Sequence, residues 1–271
     1  SLHAMQYLGP PFTFGIEQLS ENTTIAGPLA VKAVDDTVFW MGVEEFYIYT
    51  GQVQKLPCSV RSYVFNDFNV GQRSQVAAGL NSSFSEIWWF YPSSSSTVLD
   101  RYVVFNYQEK VWYYGTMTRT FWLDRGVNDY PVAANNDGYL YNHEVGLNDG
   151  TTTPASAISS YIQSSQLSIG EGEEFVFLNR LIPDLTFDAS TDAAASVNMT
   201  LETRNYPGGP YLQSNASAVT QTATTPVEQF TTEAYIRLRG RSFALKVDSS
   251  TTDIQWRLGS PRVEVRPDGR Q

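Results

Sequence analysis

Residues 35–57, DDTVFWMGVEEFYIYTGQVQKLP, hold three short apolar runs separated by turn residues. Thr37–Met41 is followed by Gly42-Val43-Glu44-Glu45, Phe46–Tyr49 by Thr50-Gly51, and the alternating run Val53–Leu56 stops at Pro57. Runs rich in β-branched and aromatic residues and bounded by Gly and Pro read as strands, and a connection as short as Thr50-Gly51 reads as a hairpin. The stretch is therefore an antiparallel meander of narrow strands.

The same arrangement returns. Glu86–Tyr91 matches the Trp40 strand, Arg101–Tyr107 the Phe46 strand and Lys110–Gly115 the Val53 strand, with Gln108-Glu109 in place of Thr50-Gly51. Trp40 and Trp89 lie 49 residues apart; Tyr49 and Tyr107 lie 58 apart, because the second copy carries the polar loop Pro92–Thr97. A weaker third copy opens at Gly138-Tyr139-Leu140-Tyr141-Asn142-His143-Glu144. A small-residue segment precedes each aromatic strand: Leu29–Val34, Val76–Gly79 and Pro131–Ala134. Repeats of about 40–50 residues, each a four-stranded meander, suggest propeller blades. One blade cannot bury both faces of its sheet and must stack on neighbours, with Trp89 and Trp112 expected between sheets. A β-sandwich with look-alike hairpins competes with this architecture, and the ordered repetition favours blades. The expected fold is all-β. β-Propeller-like blades cover 1–187, read as the C-terminal part of a larger propeller, and a C-terminal antiparallel sheet or sandwich region covers 188–271.

Outside the repeats the signals are local. Phe12–Ile16 alternates as a strand, and Ser62–Phe68 reads as a strand or a short helix. Ala157–Ile169 and Glu174–Leu178 read as two strands joined by the turn Gly170-Glu171-Gly172. The small polar run 188–196 marks the boundary, Val197–Arg204 alternates, and the Pro-, Gly- and Ser-rich stretch 206–225 reads as a long loop, mobile or an interface arm. Ala234–Val247 alternates with a phase flip at Gly240-Arg241-Ser242, the signature of a bulge. The opening SLHAMQYLG does not look like a tag, and the chain reads as the C-terminal part of a longer polypeptide that begins inside a repeat.

Composition narrows the chemistry. With 18 Lys and Arg against 28 Asp and Glu, the net charge is −10, which argues against a general polyanion binder. Cys58 is the single cysteine, so there is no intrachain disulfide and no cysteine zinc site. His3 and His143 are the only histidines and are far apart in sequence, so no histidine metal cluster or local triad is visible, nor is a P-loop, GxSxG or GxGxxG. A glycosidase needs only two carboxylates, and Glu86 or Asp100 beside Trp88 and Trp89 would be the candidates if the indoles were exposed to stack on sugar rings. The expectation is no catalytic, cofactor-binding or metal residue, no cofactor, and no enzyme. No apolar run approaches the length of a bilayer span, so no membrane insertion is expected.

Charge is uneven along the chain. Residues 235–271 hold eight Lys or Arg against four acids, a local +4 that leaves −14 for the remainder. Arg237 and Arg239 lie two apart in an alternating strand, so they leave one face while Ile236 and Leu238 leave the other. This arginine pair is the candidate subunit interface, docking on the acidic surface of a second copy.

The phrases DRYVVFNYQEKVWYYGTMTRTFWLD (100–124), DGYLYNHEVG (137–146), LIPDL (181–185), YIRLRGRSFALKV (235–247) and WRLGSPRVEVRPDGR (256–270), in that order, resemble the C-terminal half of a structural protein family of tailed-bacteriophage virions. Its members are described as packaged-DNA stabilisation or tail hub (nozzle) proteins of short-tailed phages. The resemblance implies a propeller-bearing tail protein in the virion. It also implies self-association into a ring, typically a hexamer, below the portal and adaptor rings and in contact with them and other tail proteins, retaining the packaged DNA and letting it pass through without sequence-specific binding. It carries no catalytic residues to this chain. Two alternatives stand beside it: a carbohydrate-binding or depolymerising phage tail protein, and a bacterial surface propeller adhesin.

Overall fold

In the computed structural model, which describes residues 1–170, 172–206, 209 and 221–269, the chain divides into two compact units at Val145 and Gly146. The first unit opens with a two-stranded ribbon, β1 (Leu2–Tyr7) and β2 (Phe14–Ser20). Next comes a four-stranded antiparallel meander of β3 (Val31–Val34), β4 (Thr37–Met41), β5 (Phe46–Tyr49) and β6 (Val53–Leu56), paired in that order. A short helix α1 (Arg61–Asn66) and a 3-10 turn (Val70–Gln75) lead to the second meander, β7 (Ala77–Asn81), β8 (Glu86–Tyr91), β9 (Arg101–Asn106) and β10 (Val111–Thr116). The weak third copy is a three-stranded sheet, β11 (Phe121–Leu123), β12 (Val132–Ala134) and β13 (Leu140–Asn142). Ser62–Phe68 resolves as helix over most of its length.

The sheets of this unit stack face to face. Phe39, Met41 and Phe46 pack on Ile87, Trp89, Val103 and Phe105 in one core, with the Phe46 and Trp89 rings 5.0 Å apart. Period-2 alternation places Trp88, Phe90 and Val104 on the opposite face, where they meet Trp122 and Ala133. Both faces of β8 are thus covered, which is why all six residues of that strand are buried. The small-residue segments lie at the close approaches. Ala78 donates its N–H to Leu29 O at 2.7 Å, and the Trp89 indole donates to Ala30 O at 3.0 Å. Trp112 is only half-buried, its indole N–H donating to Pro57 O at 2.9 Å.

The second unit contains β14 (Asn148–Asp149), β15 (Ser156–Ala157), β16 (Ser160–Gln163), β17 (Leu167–Ser168), β18 (Val176–Ile182), β19 (Leu185–Thr186), β20 (Ser196–Arg204), β21 (Thr222–Glu228), β22 (Ala234–Gly240), β23 (Ser242–Ser249), β24 (Arg257–Leu258) and β25 (Arg262–Pro267). One sheet runs β16-β23-β20-β21, with β17 also on β23; another runs β22-β18-β25. A single core of Leu178, Leu181, Val197, Met199, Leu201, Ile236, Leu238, Phe243 and Val247 draws on both.

Three sequence readings change here. The run 157–169 is two short strands, because both lie along one edge of β23 and are interrupted where Ser164 turns to bond Leu245. The next strand in sequence, β18, belongs to a different sheet from β17, and Glu171 of the expected turn lies outside the described residues. The phase flip at Gly240-Arg241-Ser242 is likewise a corner between two sheets, not a bulge: it lets Ile236 and Leu238 on one strand and Phe243 and Val247 on the next enter the same core. Gly240 suits that corner, since a Cβ there would lie 2.7 Å from Thr203. Finally, the units divide at 145 and 146 rather than at 187 and 188, because β16, β17 and β18 pair with strands from the C-terminal part. The expected loop 206–225 falls largely outside the described residues. Among the described residues no helix is long and apolar enough to cross a membrane.

Candidate functional site

Buried polar chemistry concentrates on the face of the second meander that looks toward β11–β13. Asn81 and Glu86 are cross-strand partners at the β7–β8 hairpin end, so their side chains share that face. Asn81 is fully buried and Glu86 nearly so, and burial is the leading reason the Glu86 carboxyl sits above its usual pKa. The carboxylate accepts from the Trp88 indole N–H at 3.1 Å and from the Tyr113 hydroxyl, and both bonds oppose that rise. Tyr113 is pushed upward in turn, by burial first and then by the Glu86 charge.

The third sheet supplies the other wall. Trp122 stacks on Trp88 with ring centroids 5.1 Å apart and planes 12° apart, and its indole donates to Leu80 O at 2.9 Å. Gly79 allows this approach, because a Cβ there would lie 2.6 Å from the Trp122 ring. After β13 the chain places His143 and Glu144. Arg119, itself buried, donates from Nε to His143 Nε2 at 2.8 Å and lies 4.6 Å from the Tyr141 ring centroid. The imidazole is therefore an acceptor at Nε2, and burial together with the Arg119 charge lowers its pKa to about 4. Glu144 accepts from Asn81 Nδ2 at 3.0 Å; it is more exposed than Glu86, yet burial still pushes its carboxyl up. Its backbone is in the left-handed region, at φ 59°.

The carbohydrate candidates are not brought together. Glu86 pairs with Asn106 at one end of the β8–β9 ladder, while Asp100 precedes Arg101, the partner of Tyr91 at the other end. Five residues of strand separate the two positions by roughly 17 Å, well beyond the spacing of a glycosidase pair. Asp100 instead braces the 92–97 loop, accepting from Ser93 N and Ser93 Oγ, each at 2.7 Å. Trp88 and Trp89 are buried, at 6% and 0% exposure, so neither offers an exposed platform for a sugar ring. The partner that sequence reasoning missed is Glu144. Its dipeptide with His143 stands in the stretch that opens the weak third copy, but its contact with Asn81 spans 63 residues of chain.

Arg237 and Arg239 do share the exposed face of β22, where buried and exposed residues alternate strictly. Their situations differ. Arg239 pairs with Asp268 and lies 4.0 Å from the Phe175 ring centroid, a ring that Arg241 also approaches. Arg237 has no hydrogen-bond or ion-pair partner among the described residues. Among the described residues no three or more His, Cys, Asp and Glu side chains gather as a metal cluster.

No protein-family model matches the chain, and no curated protein does. A similar solved structure is that of an exo-β-1,3-galactanase from Phanerochaete chrysosporium with galactose. The likeness covers 97% of this chain and 74% of that one, at 12% identity and a TM-score of 0.25. That protein is an enzyme, so the expectation that this chain is not one is withdrawn. At such a TM-score the likeness carries no argument for galactanase activity either.

Proposed function

We propose that this chain is a structural component of a bacteriophage tail, a nozzle or hub that self-associates into a ring below the portal and adaptor and conducts DNA. The observation that carries the reading is the surface left open by the stacked meanders. On β11–β13 the face away from Trp122 presents Phe121, Leu123 and Leu140, 51–74% exposed. On the β1–β2 ribbon Met5, Tyr7, Phe14 and Ile16 share one face and are equally open. Contiguous apolar surface of this kind marks assembly contacts. The ordered phrases that resemble the tail family point the same way. An acidic chain also suits a conduit, since a wall that neutralised phosphates would hold the DNA back.

The test is the assembly state. Purified protein should sediment as a closed oligomer and show rings with a central hole by negative stain; a monomer across the micromolar range overturns the reading. Arg237→Glu asks whether the basic face contributes. Exposed ion pairs are worth about 0–1 kcal/mol, so the fold should survive, and sedimentation should show a weaker assembly. Arg239→Glu is less clean, because it also removes the pair with Asp268.

A further inference from the structure

The polar cluster at the Asn81 end of the second meander has more acceptors than donors. Glu86 receives the Trp88 indole and the Tyr113 hydroxyl, and Glu144 receives the Asn81 amide N–H. Asn81 Oδ1, on a fully buried side chain, receives nothing. Asn81 thus holds Glu144 through its nitrogen and neighbours Glu86 by strand register, and the oxygen of that same amide is left without a donor. Neither glutamate forms an ion pair among the described residues, although the two are close enough for the charge of Glu144 to disfavour ionisation of Glu86. An orphan buried carbonyl beside two carboxylates that have no cationic partner is costly unless something positive is shared among them.

We propose that Glu86, Glu144 and Asn81 Oδ1 form a site for a hard divalent cation, calcium in preference to magnesium. Calcium takes carboxylate, amide and water oxygens together in flexible geometry, whereas magnesium demands a near-ideal octahedron and gives up its water reluctantly. Every free ligand atom here is an oxygen, and Glu144 is exposed, so that solvent would complete the coordination shell. With two carboxylates the affinity falls at the weak end of protein calcium sites, about 10⁻⁴–10⁻³ M. The ion would tie the segment after β13 to β7 and β8, joining the third sheet to the second through a contact other than the Trp88–Trp122 stack.

The experiment is calorimetric titration of the whole chain, stripped with chelator, with calcium chloride at neutral pH, alongside melting with and without about 10 mM calcium. Expected are one weak site and a rise in Tm of about 2–5 °C, with magnesium about tenfold weaker. Glu144→Gln keeps an acceptor for Asn81 and changes an exposed residue, so circular dichroism should show it folded. It should lose both the binding heat and the Tm shift. A wild-type chain that neither binds calcium nor melts higher with it overturns the site. So does an undiminished response in folded Glu144→Gln. A calcium-insensitive wild type that melts lower than both Glu144→Gln and Glu86→Gln overturns it too, in favour of a plain repulsive pair.

Discussion

The two faces of the β7–β10 sheet are made by the same four strands and are buried to a similar depth, yet they are built differently. Toward the first meander the contact is dry: Ile87, Trp89, Val103 and Phe105 meet Phe39 and Phe46, and the Trp89 indole finds a backbone carbonyl. Toward the third sheet the same alternation delivers Trp88, Phe90 and Val104, but also Asn81, Glu86 and Tyr113. The lesson is that burial alone does not fix what a sheet face carries. A four-stranded partner can cover its neighbour with apolar side chains. The three-stranded β11–β13 sheet leaves one end of its neighbour to be closed by the His143-Glu144 segment, and polar groups collect there.

This contrast is easiest to break from the dry side. Trp89→Ala should cost about 3–5 kcal/mol, because it empties the centre of that face and orphans no charge; denaturant unfolding measures it. Half-buried Trp112→Ala should cost less, and an equal or larger loss would mean the dry core is centred elsewhere. Next in size is Gly79→Ala on the mixed face. The added Cβ would press into the Trp122 ring, and overpacking of that kind costs about 1–3 kcal/mol. A neutral result would show that the third sheet yields easily. Glu86→Gln is smaller again. It keeps an acceptor for the Trp88 indole and removes a charge held near Glu144, so in calcium-free buffer its stability should lie within about 1 kcal/mol of the parent. A large loss would show that the ionised carboxylate is needed for folding.

The smallest effect sharpens the dry side without disturbing it. Cys58 packs against the first core, and burial raises its thiol to about 11. Only the thiolate is nucleophilic, so alkylation near pH 8 should be far slower than for an ordinary exposed cysteine, rising as the pH approaches 11. Rapid labelling at neutral pH would mean that water reaches this edge of the core.

Much of the fold was legible because period-2 alternation and turn residues act locally. The strands around Trp40, Trp89 and Tyr102, the hairpins between them and their meander order follow from neighbours in sequence, and the structure shows the all-β, blade-like sheets they imply. The alternation of Ile236 and Leu238 against Arg237 and Arg239 placed those side chains on the correct faces for the same reason. Other features needed the tertiary structure. The phase flip at Gly240 looks like a bulge until two sheets are seen to share one core. The edge strands β16 and β17 have no pattern of their own and exist because β23 offers them a partner. Arg239 looked equivalent to Arg237 until Asp268 and Phe175 folded beside it. The Asn81, Glu86 and Glu144 cluster is the clearest case: Glu86 and Asn81 are joined by register across a hairpin, but Glu144 arrives from the far end of the third sheet. Backbone preferences are set over a few residues, whereas burial, charge pairing and orphaned acceptors are properties of groups that only chain closure brings together.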